Sequence, residues 1–160
     1  DKIKADSYIN VQGDEPIVNI NDIKSLLNYN LKFPDRVVFG KTTANEVEFD
    51  DFSKAKVVCD KNGRLLYSSR AGIPLTNKGK FLKAERAIWL YAFNKNSLNK
   101  YFENSGKTYL DQIEDNEIIR FLEIGIPVYC IDMIGDSWAV DEKKDIEIVE
   151  KRIKDAEKEV

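Results

Sequence analysis

Apolar residues fall along this chain in short runs separated by polar turns, with two periodicities in alternation. Tyr8, Ile9 and Val11, Arg36 to Thr43, Ala55 to Cys59, Leu65 to Tyr67, Arg86 to Phe93 and Pro127 to Ile131 are rich in β-branched and aromatic residues, and each run predicts a strand. Lys61-Asn62-Gly63 between two of them predicts a hairpin turn. Spacings of three and four predict helices. Ile23, Leu26 and Leu27 behind Asn19 or Asn21 give a short one ending near Asn28 to Asn30, and Asn96 or Ser97 opens another through Phe102, broken at Asn104-Ser105-Gly106. Leu110, Ile113, Phe121 and Leu122 give one longer helix from about Thr108 to Glu123, stopped at Gly125. Ile146, Val149 and Ile153 give a last amphipathic helix that starts at Asp141 or Glu142. Glu46 to Ser53 reads as irregular, Ser68 to Pro74 and Asn77 to Lys83 as loop, and Trp138 to Asp141 as short and extended. Strands alternating with helices predict an α/β domain: a mixed, mainly parallel sheet flanked by helices, with a β-hairpin excursion.

The stretch from Ser7 to Pro16 organises the rest. It reads as a buried strand that Pro16 stops, ending in an acidic turn that Gly13 permits. Asp14 and Glu15 then sit at the strand's carboxyl end. Open α/β sheets bind ligands at that edge, and a carboxylate there is placed to hold a hard cation such as Mg²⁺ against a phosphate chain. An ordinary loop with two solvated acids fits the same residues.

Composition narrows the chemistry. At 160 residues, 42% hydrophobic and 33% charged, the chain suffices for one domain with a substantial core. A net charge of −3 gives no basic footprint, so nucleic acid and anionic membrane surfaces are not expected partners. Cys59 and Cys130 lie in apolar runs without metal or redox spacing, which predicts buried free thiols in a reducing compartment. The absence of histidine removes the usual general base and the commonest zinc ligand, leaving carboxylates, cations and metal for catalysis. With no run of apolar residues long enough to span a bilayer and no signal-peptide pattern, a cytoplasmic protein is expected.

Four stretches then combine: Asn10-Val-Gln-Gly-Asp-Glu-Pro16; Lys56-Val-Val-Cys-Asp60 with the Asn-Gly hairpin and Tyr67-Ser-Ser-Arg-Ala-Gly-Ile-Pro74; Leu110-Asp-Gln-Ile-Glu114 continuing to Glu117, Arg120, Leu122 and Gly125; and Val140-Asp141 with Lys144-Asp-Ile146. In order and approximate spacing they resemble one family, the cytidylyltransferases that make CMP-activated sugar acids, most closely the CMP-Kdo synthetases. The resemblance implies the later part of a Rossmann-like nucleotidyltransferase fold. The family's nucleotide-embracing loop, with a pattern like Ala-Arg-x-x-Ser-x-Arg-x-Pro-Gly-Lys, is not in this sequence. Residues 1–160 are therefore expected to be a single domain, the C-terminal portion of a longer protein or one whose other half comes from another chain. A start on a buried strand agrees with that expectation.

The reaction implied by the resemblance is attack of the anomeric hydroxyl of a 2-keto sugar acid on the α-phosphate of CTP, releasing pyrophosphate. Phosphoryl transfer needs positioning and charge neutralisation more than covalent help, so Mg²⁺ between two aspartates suffices without histidine. By resemblance those ligands are Asp14 and Asp141, the catalytic pair; as a residue alone, Asp141 equally reads as a helix N-cap. Gln12, Arg70, Tyr91 and Glu117 are the substrate-binding positions by resemblance. Arg70 would pair with the sugar carboxylate through two parallel hydrogen bonds. Their plain readings are an edge side chain, a solvated loop arginine, a core strand residue and an exposed helix acid. Two departures fall on the sugar side, where Ala87 stands for a histidine and Ile118 for a glutamine. The family also implies a homodimer, built from the hairpin excursion through Phe93, with Trp89, Tyr91 and Phe93 alternating as an interface strand or a sheet core would. Two other readings stay open: a related nucleotidyltransferase for another acidic or amino sugar, and a non-catalytic dimerisation module derived from the family.

Overall fold

The computed structural model describes residues 3–104, 106–135, 137–140 and 142–158. The elements run β1 (Tyr8–Val11), α1 (Ile20–Lys32), β2 (Val37–Ala44), α2 (Glu46–Asp50), β3 (Lys56–Cys59), β4 (Leu65–Ser69), β5 (Ala84–Phe93), α3 (Lys95–Glu103), α4 (Tyr109–Glu114), α5 (Glu117–Glu123), β6 (Val128–Asp132) and α6 (Lys143–Lys158). The strands form one six-stranded sheet in the order β4-β3-β5-β2-β6, with β1 also on β5.

The sheet is mixed, as expected, but it is not mainly parallel. Only β2 and β6 pair in parallel among the described strands, whereas β5 runs antiparallel to β1, β2 and β3. The cause is the hairpin of β3 and β4, which returns the chain to the sheet from the opposite end. Two edges of β5 matter for function. Along one, Glu85 and Arg86 pair with β3 and Leu90 to Phe93 pair with β1, so the partner strand changes around Ala87 to Trp89. Along the other, Phe39 lies opposite Tyr91 but Gly40 lies opposite Ile88, so β5 carries Trp89 and Leu90 as a bulge. Gly40 permits that close approach, because a Cβ there would meet the Ile88 carbonyl oxygen and Met133 Cε, both at 2.9 Å.

Alternation along β5 divides the core. Ala87, Tyr91 and Phe93 share one face with Phe39, Ile118, Ile119 and Phe121, under α3, α4 and α5. Ile88, Leu90 and Ala92 share the other with Leu26 of α1. Tyr91 and Phe93 are therefore buried in the core, and Trp89 packs against it half-buried. β1 also differs from expectation. It pairs along one edge only, and Asn10 and Val11 are exposed, so it is a half-buried strand rather than a buried central one.

Two helical readings need correction. Glu46 to Ser53 is not wholly irregular: Asn45 and Glu48 form a reciprocal capping box that starts α2. The expected long helix is two short ones, because Asp115 adopts φ 45° and Asn116 caps α5 by accepting from the Ile118 N–H. Cys59 and Cys130 are both free, Cys130 buried as expected and Cys59 only half-buried, and interaction between the two thiols lowers the Cys59 pKa and raises that of Cys130. Among the described residues no helix is long and apolar enough to cross a membrane.

Candidate active site

Where β5 changes partner, a cleft of about 170 Å³ opens, lined by Gln12, Asp14, Ser53, Arg70, Trp89, Asp115 and Glu117. Backbone order explains the convergence. Gln12 and Asp14 follow the last residue of β1, Trp89 lies in the bulge beside it, and Glu117 opens α5. The helix break thus has a consequence: Asp115 and Glu117 are delivered to the cleft by the turn between α4 and α5.

Glu117 is held from two sides. Its Oε1 accepts from Gln12 Nε2 at 3.0 Å and from the Tyr91 hydroxyl at 2.9 Å. Burial, reinforced by the Glu117 charge, drives the Tyr91 pKa well above its ordinary value, so the phenol stays protonated and donates. Tyr91 is 1% exposed and does not line the cleft, which makes it a positioning residue for Glu117 rather than a surface for a ligand.

Arg70 lines the cleft, but its guanidinium already donates to four backbone carbonyls: Glu114 at 3.1 Å, Asp115 at 3.1 Å, Phe52 at 3.3 Å and Ser53 at 3.4 Å. A guanidinium has five N–H donors, so little remains for a bidentate carboxylate in this conformation. Glu114 secures the same corner, accepting from the Arg70 N–H, the Ser69 hydroxyl and the Tyr67 hydroxyl. Arg70 is therefore the bolt between β4, the α4–α5 turn and the loop before β3.

The acidic turn is tied to the segment after β6. Buried Asp22 of α1 accepts from the Ile134 N–H at 2.9 Å and the Gly135 N–H at 2.8 Å. The Ser137 hydroxyl donates to buried Glu15, and the Val140 N–H donates to the Asp14 carbonyl at 2.9 Å. Asp141 itself lies outside the described residues. The Asp14 carboxylate is exposed and has no hydrogen bond or ion pair among the described residues, whereas Glu15 is 6% exposed and engaged.

Burial pushes the Glu15 carboxyl up, with Ser137 pulling it partly back. The folded protein then holds this proton more tightly than the unfolded chain. Its contribution to stability is fully present below the ordinary value of 4.5 and is lost as pH rises through the folded value. Glu15→Gln is expected to gain on the wild type as pH rises, read from urea unfolding between about pH 4 and pH 7. A constant difference across that range would contradict the assignment.

Of the six residues singled out in the sequence, Gln12, Asp14, Arg70 and Glu117 meet at one cleft, Tyr91 stands behind it, and Asp141 is not described. Ala87 and Ile118 are core residues, 6% and 0% exposed, and neither lines the cleft. Sequence reasoning missed Ser53, Asp115 and the site role of Trp89. The signal for Asp115 was the polar run Glu114-Asp115-Asn116-Glu117, too acidic and too rich in cap residues for a helix interior.

The arrangement agrees with what the chain is similar to. The family described as cytidylyltransferase matches residues 1–143. The chain belongs to the cytidylyltransferase family. Two relatives within it are named 3-deoxy-manno-octulosonate cytidylyltransferase: that of Chlamydia caviae is 37% identical over 155 residues, covering 92% of this chain and 58% of that protein. That of Koribacter versatilis is 33% identical over 150 residues, covering 92% of this chain and 56% of that protein. A solved structure of CMP:2-keto-3-deoxy-manno-octonic acid synthetase complexed with CTP superposes with a TM-score of 0.86 at 26% identity, covering 96% of this chain and 64% of that one. The chain thus spans 56% to 64% of the length of these family members.

Proposed function

We propose that the intact protein to which this chain belongs transfers CMP from CTP to the anomeric hydroxyl of a 2-keto sugar acid of the Kdo type, releasing pyrophosphate. The observation that carries this reading is the convergence of Gln12, Asp14 and Glu117 at the cleft where β5 changes partner, within the span that matches the family. Gln12 and Asp14 follow β1 at its carboxyl end, the edge at which open α/β sheets bind ligands.

Each side chain has a part that its geometry supports. Glu117 has one oxygen fixed by Gln12 and Tyr91, and its other oxygen makes no hydrogen bond among the described residues, so it can accept from a sugar hydroxyl. Arg70 holds the cleft wall through its carbonyl contacts and contributes positive charge toward an acidic sugar.

The residues fit Mg²⁺. No cluster of three or more metal-ligating side chains exists among the described residues, but Mg²⁺ is held by one or two carboxylates with waters and substrate phosphates completing its shell. Asp14, exposed and unengaged, supplies one such oxygen ligand, and the Val140 to Asp14 hydrogen bond supports Asp141 as the source of another. When bound, the cation neutralises phosphate charge during transfer. The homodimer belongs to the same proposal, supported by exposed Leu66, Leu75 and Leu82 on and beyond the hairpin.

The test is sugar-dependent release of pyrophosphate from CTP by the intact protein in the presence of Mg²⁺. Release is expected only with a 2-keto sugar acid, and this 160-residue chain alone is expected to give none, since it lacks the loop that cradles the triphosphate. Release by the intact protein without any sugar, or turnover by the isolated chain, would overturn the reading.

A further inference from the structure

The cleft has one aromatic wall, and nothing in the reading above uses it. Every other lining residue is polar or charged, namely Gln12, Asp14, Ser53, Arg70, Asp115 and Glu117, and Trp89 stands among them half-buried. A sugar acid ring needs both kinds of surface. Its hydroxyls and carboxylate seek donors and acceptors, whereas its C–H face, widened wherever a ring carbon lacks a hydroxyl, is apolar and packs on an aromatic plane.

The fold fixes the indole for such a role. Trp89 lies in the β5 bulge, where Gly40 allows the strand to approach closely and neither β1 nor β3 pairs across the free edge. Bulges beside sites re-aim a side chain. The Phe39 and Tyr91 rings lie tilted against the indole at 5.8 Å and 6.4 Å between centroids, so it is packed on core aromatics before any ligand arrives. The indole N–H has no hydrogen bond among the described residues, unlike that of Trp138, which donates to Asp145. Neighbouring Ala87, on the same face, is small and buried and brings no competing polar group.

We propose that Trp89 is a substrate-recognition residue: the C–H face of the acceptor sugar ring stacks on its indole, so the site selects sugar acids whose stacked face carries a methylene in place of a hydroxyl. This inference rests on the cytidylyltransferase reading and assigns the apolar half of its acceptor site. The selectivity follows from desolvation. A hydroxyl turned onto the indole face loses its water without gaining a partner, whereas a methylene loses nothing.

Two readouts on the intact protein decide it. In Trp138→Phe protein, where Trp89 is the remaining tryptophan of this chain, titration with 3-deoxy-manno-octulosonate in the absence of CTP is expected to shift the tryptophan fluorescence; in Trp89→Phe protein it is expected not to. In turnover, Trp89→Ala is expected to raise the KM for that sugar acid about tenfold, with the KM for CTP within about twofold, and Trp89→Phe to keep most of the affinity. The preference for the deoxy acid over an analogue hydroxylated at the same carbon is expected to narrow in Trp89→Ala, a change that loss of packing alone would not produce. An unchanged sugar KM in folded Trp89→Ala, a rise confined to CTP, or fluorescence of Trp89 indifferent to every sugar acid would overturn the proposal. Failure of the underlying reading looks different: wild-type protein releases no pyrophosphate with any sugar acid, while the fluorescence titration still decides whether the indole meets a sugar.

Discussion

Asp14→Asn in the intact protein is expected to lower CMP transfer by about 100- to 1,000-fold, the size of effect seen when one charge-stabilising group is removed from an active site. The substitution keeps side-chain volume and removes one negative charge. Asp14 is exposed and its carboxylate makes no hydrogen bond or ion pair among the described residues, so its negative charge is not what holds the fold together. The Val140 N–H bonds to the Asp14 backbone carbonyl, which the variant retains. A large kinetic loss with an unchanged melting temperature is therefore expected, and it should deepen at limiting Mg²⁺. Near-normal turnover at limiting Mg²⁺ would remove Asp14 from the metal site.

The largest expected loss of stability is at Asp111, which is 1% exposed. Its carboxylate accepts from Arg120 Nε at 2.8 Å and also pairs with Arg120 Nη2, while the guanidinium lies 4.4 Å from the centroid of the Tyr101 ring. Asp111→Ala strands a largely buried cation, and breaking such a pair costs about 3 to 5 kcal/mol. That is a large share of the roughly 5 to 15 kcal/mol that holds a domain together. The effect reaches the site, because the pair staples α4 to α5 and the turn between them delivers Asp115 and Glu117. Urea unfolding checks it, with Arg120→Met added to Asp111→Ala expected to recover part of the loss by removing the orphaned charge. A loss below about 1 kcal/mol for Asp111→Ala would mean that water reaches the cation freely.

The six strands, the hairpin and most helices were legible because local signals fix them: apolar runs, the Asn-Gly turn and the asparagine cap at Asn19. The caps at Asn94, which starts α3 earlier than Asn96 or Ser97, and at Asn116, which starts α5, were not read from the sequence. The misreadings share a cause. The apolar stripe from Leu110 to Leu122 suggested one helix, but periodicity does not register a single left-handed residue, and Asp115 supplies one. The capping box of Asn45 and Glu48 was present in the sequence and outweighs the acidic character of the segment. Strand direction was not legible, since whether β5 enters parallel or antiparallel depends on which end of the sheet the excursion returns to. The site divides in the same way. Asp14 sits in a local motif and Gln12 beside it, so both could be read. The four carbonyls around Arg70 come from residues 17 to 45 positions away, and no local pattern encodes them. Trp89 was hidden for a related reason: alternation along β5 assigns it a face, but only the change of partner from β3 to β1 opens that face to a ligand.

The most direct measurement is ³¹P NMR of the intact protein with CTP, Mg²⁺ and 3-deoxy-manno-octulosonate. The expected spectrum gains one phosphodiester resonance, from CMP joined to the anomeric oxygen, matched one to one by pyrophosphate, and neither product forms with Asp14→Asn protein on the same timescale. Consumption of CTP with no phosphodiester, or an equal yield from Asp14→Asn, would contradict a cytidylyltransferase built on this cleft.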